Sequence, residues 1–509
     1  MLSRILPKEM TEEALKDFLI HVHEKYYIEL KKAENLPAAF WESYSSFSNT
    51  RGGYIILGVR EAQPDNEIVG VGNAEKILTD LWNHLSNTNK VSFRNIDNDD
   101  VHTYNVEGKN IIIIKVKESP ERMKPVYTGG KFENSWIRTG DGDRKATTEE
   151  LKAFMRNAQP GEDTLIAEQF TLEDLDMDSV LAYRTKVNNR YPSKNYKNME
   201  IPDFLVEIGA AMRDRTTGKL LIKRGTLLFF GMCNSIKELY PHYHVDFFSH
   251  KGNNPRWSDR VSDDEPNDSE MNLYNFFRIV YEKIKFTLQE PFSLDQQQIR
   301  IPVADFDETV RECLVNCLAH ADYMQGYPST KIDLYDGWFC FLNPGKMLIS
   351  TEQFVVGGDS RPRNEIIMKL FRMLGLSERQ GFGGPLIYKT ATNHDLRRPE
   401  VVTDLEHTEI KIWNIDVADS YPNLTPDEKC VFRCIVKHQP QSVNAIKEAL
   451  DMTEYKVRKT VQSLETQGLV EKVGNGASTK YIASMNSMEF LTKIQMMLDA
   501  MKKQIGQDR

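Results

Sequence analysis

The sequence predicts an α+β protein built from several domains. At 509 residues the chain is too long for one ordinary hydrophobic core. The stretch Ser46–Val59 reads as a helix end, a glycine turn and a strand, and residues 425–483 read as three helices and a hairpin. We place domains at 1–158, 159–290 (a linking α/β region), 291–418 and 419–484, with a terminal helix over 485–509.

The composition describes a globular protein with 40% hydrophobic and 27% charged residues. It has no run of 18 apolar residues, and its first residues lack the apolar segment of a signal peptide. We therefore expect a cytoplasmic protein with no membrane partner. The net charge of −9 excludes a uniformly basic surface but permits local basic grooves for nucleic acid. Without CxxC spacing, the six cysteines read as reduced thiols.

The first domain contains the stretch SFSNTRGGYIILGV. Asn49 and Thr50 suit the end of a helix, Gly52 and Gly53 suit a turn, and YIILGV predicts a buried strand. This stretch resembles the AFANTxGGxxxxGV motif of the Schlafen AlbA-like domain. The resemblance continues through 67–73 and 124–147 and covers roughly residues 15–155.

Three acidic residues lie on either side of this motif. In nuclease members of the Schlafen superfamily, acids at these places hold a divalent metal, and the matching positions here are Glu24, Glu29 and Glu61. The resemblance therefore implies a Mg²⁺ or Mn²⁺ site that activates water at a scissile phosphate. Glu61 departs from the usual Asp, so its carboxylate lies farther from the backbone. The alternative is that these acids are solvated charges and a strand cap.

Basic residues of the same domain are candidate contacts for a phosphate backbone. They are Lys31, Lys32, Arg51, Lys124, Arg138, Arg144 and Lys145.

The linking region has weaker signals. The apolar run Gly218–Met232 predicts a strand. His242 and His244 fall on one face of a second predicted strand, where two histidines are too few for a zinc site and a packing or surface role is favoured.

The third domain begins with an amphipathic helix over Asp307–Tyr323, which places Glu312 and Asn316 one turn apart. Paired strands follow and lead to a glycine-rich loop before another helix. In that arrangement backbone N–H groups can hold phosphate.

This domain resembles a divergent GHKL-type (Bergerat-like) ATPase domain, an α/β sandwich. The resemblance implies that Glu312 and Asn316 orient water and hold Mg²⁺. It also implies ATP-binding roles for Asn343, Gly345, Gly381, Gly383 and Gly384, and an RxRN segment at Arg361, Arg363 and Asn364.

Two departures argue against active ATP turnover. Asn343 stands where the family has the adenine-binding Asp, and an uncharged amide makes a weaker contact. Ala321 stands where an Arg is common. A retained fold that binds no nucleotide is therefore the alternative to ATP binding.

Residues 425–483 have the layout of a winged helix-turn-helix. On its third helix Lys456, Arg458 and Lys459 can contact DNA, with Lys472 and Lys480 on the wing. The alternative is a winged helix that binds protein. Beyond it, an apolar stripe in the terminal helix predicts a homo-oligomer. The stripe comprises Met488, Leu491, Ile494, Met497, Leu498 and Met501.

Two functions follow from these observations. The first is a metal-dependent endonuclease acting on tRNA, other RNA or DNA, in antiphage defence, regulated through its ATPase-like and winged-helix domains. The second is a DNA-binding transcriptional regulator without nuclease activity. The sequence favours the first, because a regulator has no need of three acids beside a basic groove.

Overall fold

The structure is a computed structural model. It describes residues 12–24, 26–159, 161–250, 256–289, 303–358, 360–377, 381–474 and 479–484. The chain divides into two compact units, unit 1 over residues 1–160 and unit 2 over residues 161–509. The predicted terminal helix lies outside the described residues, so self-association through its apolar stripe stays a prediction. Within the described ranges, no helix is both long enough and apolar enough to cross a bilayer.

The described part of unit 1 alternates helices and strands. Its elements are α1 (Glu12–His21), β1 (Ile28–Lys31), α2 (Ala38–Asn49), β2 (Gly53–Leu57), β3 (Val59–Arg60), β4 (Glu67–Ile68), α3 (Ala74–Leu85), β5 (Val101–Val106), β6 (Lys109–Val116), β7 (Trp136–Thr139), β8 (Gly142–Lys145) and α4 (Thr148–Ala158).

The central sheet of unit 1 has the strand order β1-β2-β6-β5. Strand β1 runs parallel to β2, and the other neighbours are antiparallel. Helices α2 and α3 cover one face through a core that includes Phe47, Ile77 and Ile112. Helix α1 covers the other face through Leu19, which packs with Ile113. Because both faces are buried, β2 and β6 read as nearly continuous apolar runs.

The α2-turn-β2 unit has the predicted form. Helix α2 ends at Asn49, and Gly52 follows in the left-handed region with φ of +72°. A Cβ on Gly52 would lie 2.7 Å from the carbonyl oxygen of Val116, so the turn requires glycine. The Asn49 amide donates to the carbonyls of Val126 and Trp136 at 2.9 and 3.0 Å. The motif therefore joins the helix end both to the sheet and to the β7 region.

The described part of unit 2 contains a larger set of elements. They are α5 (Met177–Arg190), α6 (Ile201–Glu207), β9 (Ala211–Arg213), β10 (Leu220–Ile222), α7 (Arg224–Phe230), α8 (Cys233–Leu239), β11 (Val245–Ser249), β12 (Asp259–Ser262), α9 (Leu273–Gln289), α10 (Val303–His320), β13 (Thr330–Tyr335), β14 (Trp338–Pro344), α11 (Thr351–Val356), α12 (Glu365–Met373), α13 (Gly383–Asn393), β15 (Glu400–Thr403), β16 (His407–Trp413), α14 (Pro426–His438), α15 (Val443–Leu450), α16 (Glu454–Thr466), β17 (Val470–Val473) and β18 (Lys480–Ala483).

A six-stranded sheet organises unit 2, in the order β12-β11-β13-β14-β16-β15. Its only parallel neighbours are β11 and β13, among the strands described. One face carries alternate apolar residues such as Ile332, Phe341 and Ile410, which join a core shared with α9, α10, α12 and α13. Strands β11 and β12 come from the predicted linking region, so that region contributes to the same sheet as the ATPase-like strands.

The predicted strand over Gly218–Met232 is wrong for most of its length. Strand β10 ends at Ile222, and Arg224–Phe230 forms the buried helix α7. A short, fully buried apolar run lacks the periodicity that separates a helix from a strand, which explains the error.

Helices α14, α15 and α16 and the β17–β18 hairpin have the predicted winged-helix layout. They enclose a core of their own that includes Val431, Ile435, Val457 and Leu464. Thr453 caps α16 by accepting the backbone N–H of Lys456, as expected from the sequence.

Asp163 joins the start of unit 2 to the ATPase-like domain. Its carboxylate accepts the backbone N–H groups of Glu365, Ile366 and Ile367, at 2.9, 2.7 and 3.1 Å. These are the first N–H groups of α12, which have no partner inside the helix. Burial raises the pKa of Asp163 to about 6, so the carboxylate is still ionised at neutral pH.

We expect Asp163→Ala to lower the free energy of unfolding of unit 2 by about 2–3 kcal/mol, because three buried N–H groups lose their acceptor. Asp163→Asn should lower the free energy of unfolding by less, because the amide keeps one oxygen that can accept a hydrogen bond. Urea unfolding at neutral pH measures both, with the exposed Glu168→Ala as control. Equal stability of Asp163→Ala and the control would contradict this role.

Candidate functional site

The three predicted metal ligands come from separate parts of unit 1. Glu24 precedes β1, Glu29 lies within β1, and Glu61 follows β3. The backbone N–H of Glu24 donates to Glu61 Oε1 at 3.2 Å. Glu24 Oε1 in turn accepts the backbone N–H of Leu30 at 3.0 Å. Glu24 thus lies between the other two acids, and the structure brings all three into one neighbourhood.

The electrostatics of Glu24 show this proximity. Burial raises its pKa, and the negative charges of Glu29 and Glu61 raise it further, against the opposing effects of the Leu30 N–H and Lys31. Because these negative charges oppose the ionisation of Glu24, the binding of a cation beside them would be favourable.

Glu29 is the buried member, with 8% of its surface exposed. Lys31 Nζ lies 2.7 Å from its Oε1, and Arg138 Nη1 lies 2.7 Å from its Oε2. Arg138 also pairs with Asp143 at 3.0 Å and donates to the carbonyl of Ile28 at 3.1 Å. Burial by itself would lower the pKa of Arg138, but Asp143 and Glu29 outweigh it and raise that pKa. Both oxygens of Glu29 therefore already face cations.

By donor chemistry the three carboxylates fit Mg²⁺ or Mn²⁺, which prefer hard oxygen ligands. Their spacing is wider than that of a closed site. Within the described residues, the group with ligand atoms all within 4.8 Å is a different one, His244, Asp263 and Asp264. An ion at the acidic site would be held by Glu24 and Glu61, and Glu29 would join after Lys31 moves away from it.

The His244 group is an ion-pair cluster. The imidazole contacts Asp246 through Nε2 and Asp263 through Nδ1, each at 2.7 Å. These hydrogen bonds raise the pKa of His244 to about 10, and an imidazolium that donates from both nitrogens has no lone pair for a metal. Lys237 adds a further positive charge, 2.7 Å from Asp263.

The predicted phosphate contacts of unit 1 divide into exposed and buried residues. Lys32, Arg51, Arg144 and Lys145 are exposed, although Arg144 pairs with Glu150 at 2.6 Å. Lys124 and Arg138 are buried, at 4% and 3% exposure. Lys124 pairs with Glu118 and Glu121 at 2.6 and 2.7 Å. These two cations hold the interior together and do not reach a backbone outside it.

Asp143 is a site residue that the sequence reasoning missed. It faces Arg138 across the β7–β8 hairpin and accepts the Ser43 hydroxyl at 2.7 Å. In the sequence, the hairpin pattern around TGDGD places Asp143 opposite Arg138, and this pattern is the feature that predicts their pairing.

A cavity of about 420 Å³ lies in the ATPase-like domain, beside α10, β14, α12 and α13. Its lining includes six of the seven residues predicted to bind nucleotide. They are Glu312, Asn316, Asn343, Gly381, Gly383 and Gly384.

The start of α13 closes tightly on α10 at one end of this cavity. Asn316 Nδ2 donates to Glu312 Oε1 at 3.1 Å. A Cβ on Gly383 would lie 2.4 Å from that oxygen, and one on Gly384 would lie 1.8 Å from the Phe354 carbonyl oxygen. Glycine at 383 therefore lets the helix N-terminus approach the Glu-Asn pair, and glycine at 384 lets it approach α11.

Asn343 forms another part of the wall and is 5% exposed. Its Nδ2 donates to the carbonyl of Pro344 at 3.1 Å, and Thr408 lies opposite it in the sheet. Gly345, the seventh predicted residue, does not line the cavity. Its φ is +89° and its carbonyl accepts the Thr408 hydroxyl at 2.9 Å, so it shapes the strand end behind the wall.

The RxRN segment has two roles. Arg361 lines the cavity. Arg363 and Asn364 instead attach the segment to the end of α10. Arg363 Nε donates a hydrogen bond to the His320 carbonyl at 3.1 Å, and Asn364 Nδ2 donates one to the Ala321 carbonyl at 2.8 Å.

His320 also lines the cavity and was not predicted as a site residue. Burial lowers its pKa to about 4, with a further contribution from the positive charge of Arg363. The imidazole is therefore neutral at physiological pH.

On the winged helix, the predicted DNA contacts lie on the outer side of α16. Lys456 pairs with Asp427 and Arg458 pairs with Glu454, both at 2.7 Å, while Lys459 is exposed. Tyr455, which the sequence reasoning passed over, is 77% exposed on the same helix.

Four segments of the chain match family models. Residues 24–147 match "Schlafen, AlbA_2", and residues 329–412 match "Putative ATP-dependent DNA helicase recG C-terminal". Residues 422–485 match "Sugar-specific transcriptional regulator TrmB", and residues 152–246 match a domain of unknown function, DUF8451. The first three confirm the predicted resemblance and the mixed α+β class. Together they indicate a function related to nucleic acids.

Solved structures similar to the chain include the following two. The DIP2311 protein from Corynebacterium diphtheriae is 13% identical, with 92% of this chain and 98% of that chain covered and a TM-score of 0.40. The N-terminal domain of a "putative ATP-dependent DNA helicase RecG-related protein" from Nitrosomonas europaea is 24% identical, covering 27% of this chain and 95% of its own, with a TM-score of 0.22. No curated protein matches the chain.

We expect the stability of unit 2 to fall as the pH drops. The pKa of His320 is lower in the folded state than in the unfolded chain, so below about pH 6.5 the unfolded state binds more protons. From neutral pH to about pH 4.5 this group should remove about 2–3 kcal/mol of unfolding free energy. Urea unfolding across this range should show a weaker pH dependence for His320→Gln than for the parent. The exposed His438→Gln should behave as the parent does, and identical curves for both variants would contradict the assignment.

Proposed function

We propose that unit 1 is a metal-dependent endonuclease acting on RNA or DNA, and that the ATPase-like and winged-helix domains of unit 2 regulate it. The observation that carries this proposal is the convergence of Glu24, Glu29 and Glu61, where burial and then the negative charges of the other two acids raise the pKa of Glu24. A cluster of acids that repel one another has a cost in stability, and a divalent cation relieves it. The proposed role in antiphage defence rests on the Schlafen resemblance.

The residues of the chain divide the chemical tasks. A divalent ion in this site would activate water and offset charge on the scissile phosphate. Glu24, which precedes β1, and Glu61, which follows β3, are the proposed carboxylate ligands. Lys31, two residues after Glu29 on the same side of the strand, places its ammonium beside the site, where it can neutralise phosphate charge. Exposed Lys32, Arg51 and Lys145 are the proposed backbone contacts.

A second function is favoured by a specific observation. Glu29 already has a cation at each oxygen, which is the arrangement of a structural ion pair. If the acids are structural, the protein is the DNA-binding regulator, with the winged helix as its DNA contact. The effect of metal on cleavage distinguishes the two.

We expect Mg²⁺- or Mn²⁺-dependent cleavage that Glu29→Gln and Glu24→Gln each reduce by about 100-fold or more, since losing a ligand removes about 3 kcal/mol of transition-state stabilisation. The assay uses labelled tRNA, single-stranded and duplex substrates with the full chain, with and without EDTA. The exposed Glu149→Gln is the matched control and should cleave like the parent.

Cleavage that survives EDTA, or that Glu29→Gln leaves unchanged, would contradict the nuclease proposal. The second function would then be preferred if the full chain still binds duplex DNA.

We propose that the cavity of unit 2 binds an adenine nucleotide weakly, with Glu312 and Asn316 at the phosphate end and Asn343 at the base. Asn343→Asp should tighten binding of ATP·Mg²⁺ by about fivefold to tenfold, because a charged acceptor strengthens the hydrogen bond by about 1 kcal/mol. Asn316→Ala should weaken it, and the exposed Asn189→Ala should not change it.

Titration calorimetry on the full-length variants measures these affinities. Rapid ATP turnover by the parent, abolished by Asn316→Ala, would show that Asn343 does not impair the site. Absence of binding by both the parent and Asn343→Asp would exclude the cavity as an adenine site.

A further inference from the structure

Helices α5, α9 and α12 of unit 2 pack against one another through aromatic residues. The Tyr183 hydroxyl of α5 donates to the Leu370 carbonyl of α12 at 2.9 Å. The ring of Tyr183 lies 5.7 Å from that of Tyr274 in α9, and Phe277 of α9 lies 5.1 Å from Phe371 of α12. The residues next to these contacts are fixed near one another by the packing.

Several of those neighbouring residues are cations. Arg278 follows Phe277, Arg372 follows Phe371, and Lys369 precedes Leu370. Lys186 lies one turn after Tyr183 and is exposed, with its ammonium 5.8 Å from the Tyr274 ring. We call the group the helical basic cluster. Its members are Lys186, Arg190, Lys223, Arg278, Lys369 and Arg372.

Arg190 of α5 approaches the end of α12. The guanidinium of Arg190 lies against Gly375, where a Cβ would be only 1.8 Å from Nη1. The backbone N–H of Gly375 donates to the Arg372 carbonyl at 2.9 Å. Arg190 of α5 therefore lies beside the turn that carries Arg372.

The cluster lacks close counter-charges. Within the described part of the chain, none of its six members has a carboxylate within ion-pair distance. Burial and the charge of Arg278 lower the pKa of Lys186, against Glu282. Burial and the charges of Lys223 and Arg372 lower the pKa of Lys369, against Glu207. Neighbouring cations therefore oppose the charged forms of Lys186 and Lys369, and one acid acts against this effect at each of the two.

We propose that the helical basic cluster is a binding surface for the phosphate backbone of nucleic acid, separate from the acidic site and from the winged helix. In a chain of net charge −9, cations kept together without partners are complementary to a polyanion. Lysine and arginine contacts to phosphate give affinity without sequence preference. This inference rests on the proposed action on nucleic acid and does not depend on cleavage.

The test measures the affinity of the full chain for a labelled DNA duplex at several salt concentrations. Fluorescence anisotropy is the readout, and EDTA is present throughout. The variant combines Lys186→Gln, Arg278→Gln and Lys369→Gln. The control removes three other cations of unit 2, through Arg215→Gln, Lys219→Gln and Lys283→Gln. Both variants change the net charge equally, so a general electrostatic effect would appear in both.

We expect the slope of log K against log salt to decrease in magnitude by about 2–3 in the cluster variant, since each lost phosphate contact contributes about 0.9. The control should keep the parent slope, and because the titration is done in EDTA the result does not depend on cleavage. Equal slopes for the cluster variant and the parent, or failure of the parent to bind, would overturn the proposal. Equal loss in both triple variants would also overturn it. Binding to phosphatidylserine vesicles is measured in parallel. If the cluster variant binds these vesicles less tightly than the parent but keeps the parent slope on DNA, the surface belongs to a membrane and the proposal is overturned. Unchanged circular dichroism confirms that the variants fold.

Discussion

The buried ion pair between Arg138 and Glu29 is the interaction on which unit 1 depends most. Arg138 lies in the β7–β8 hairpin, outside the central sheet, and Glu29 lies in β1 at the edge of that sheet. The guanidinium also contacts Asp143 and the carbonyl of Ile28, and it lies 5.0 Å from the centre of the Phe47 ring. Removing one partner of such a pair leaves a buried charge and costs about 3–5 kcal/mol. The pair therefore fixes the hairpin to the sheet.

This constraint also governs the proposed chemistry. Glu29 cannot be a free ligand while Lys31 and Arg138 occupy its oxygens, and burial together with the charges of Glu29 and Glu61 raises the pKa of Glu24. A divalent ion in the proposed site would favour the charged form of Glu24 and would compete with Lys31 for Glu29. In unit 2 the cavity has a comparable constraint, since the start of α13 needs glycine at 383 to lie against Glu312 and glycine at 384 to lie against Phe354.

The sequence predicted much of this architecture because its signals are local. The turn after Asn49, the Glu312–Asn316 spacing and the cap at Thr453 depend on neighbouring residues and were confirmed. Long-range pairing could not be predicted in the same way. Arg138 looks like a surface cation in sequence, yet Glu29, which the fold brings near it, holds it inside. The buried helix α7 was misread because its apolar run has no period, and Asp163 gave no local sign that it caps a helix two hundred residues away.

The metal site at Glu24, Glu29 and Glu61 is tested most directly by measuring Mn²⁺ binding to the full chain with electron paramagnetic resonance, in the absence of nucleic acid. We expect the parent protein to bind Mn²⁺, the Glu24→Gln, Glu61→Gln double variant to lose this binding, and Glu149→Gln to retain it. Unchanged Mn²⁺ binding in the Glu24→Gln, Glu61→Gln variant, or no binding by the parent protein, would contradict a metal site at these acids and leave them as structural charges.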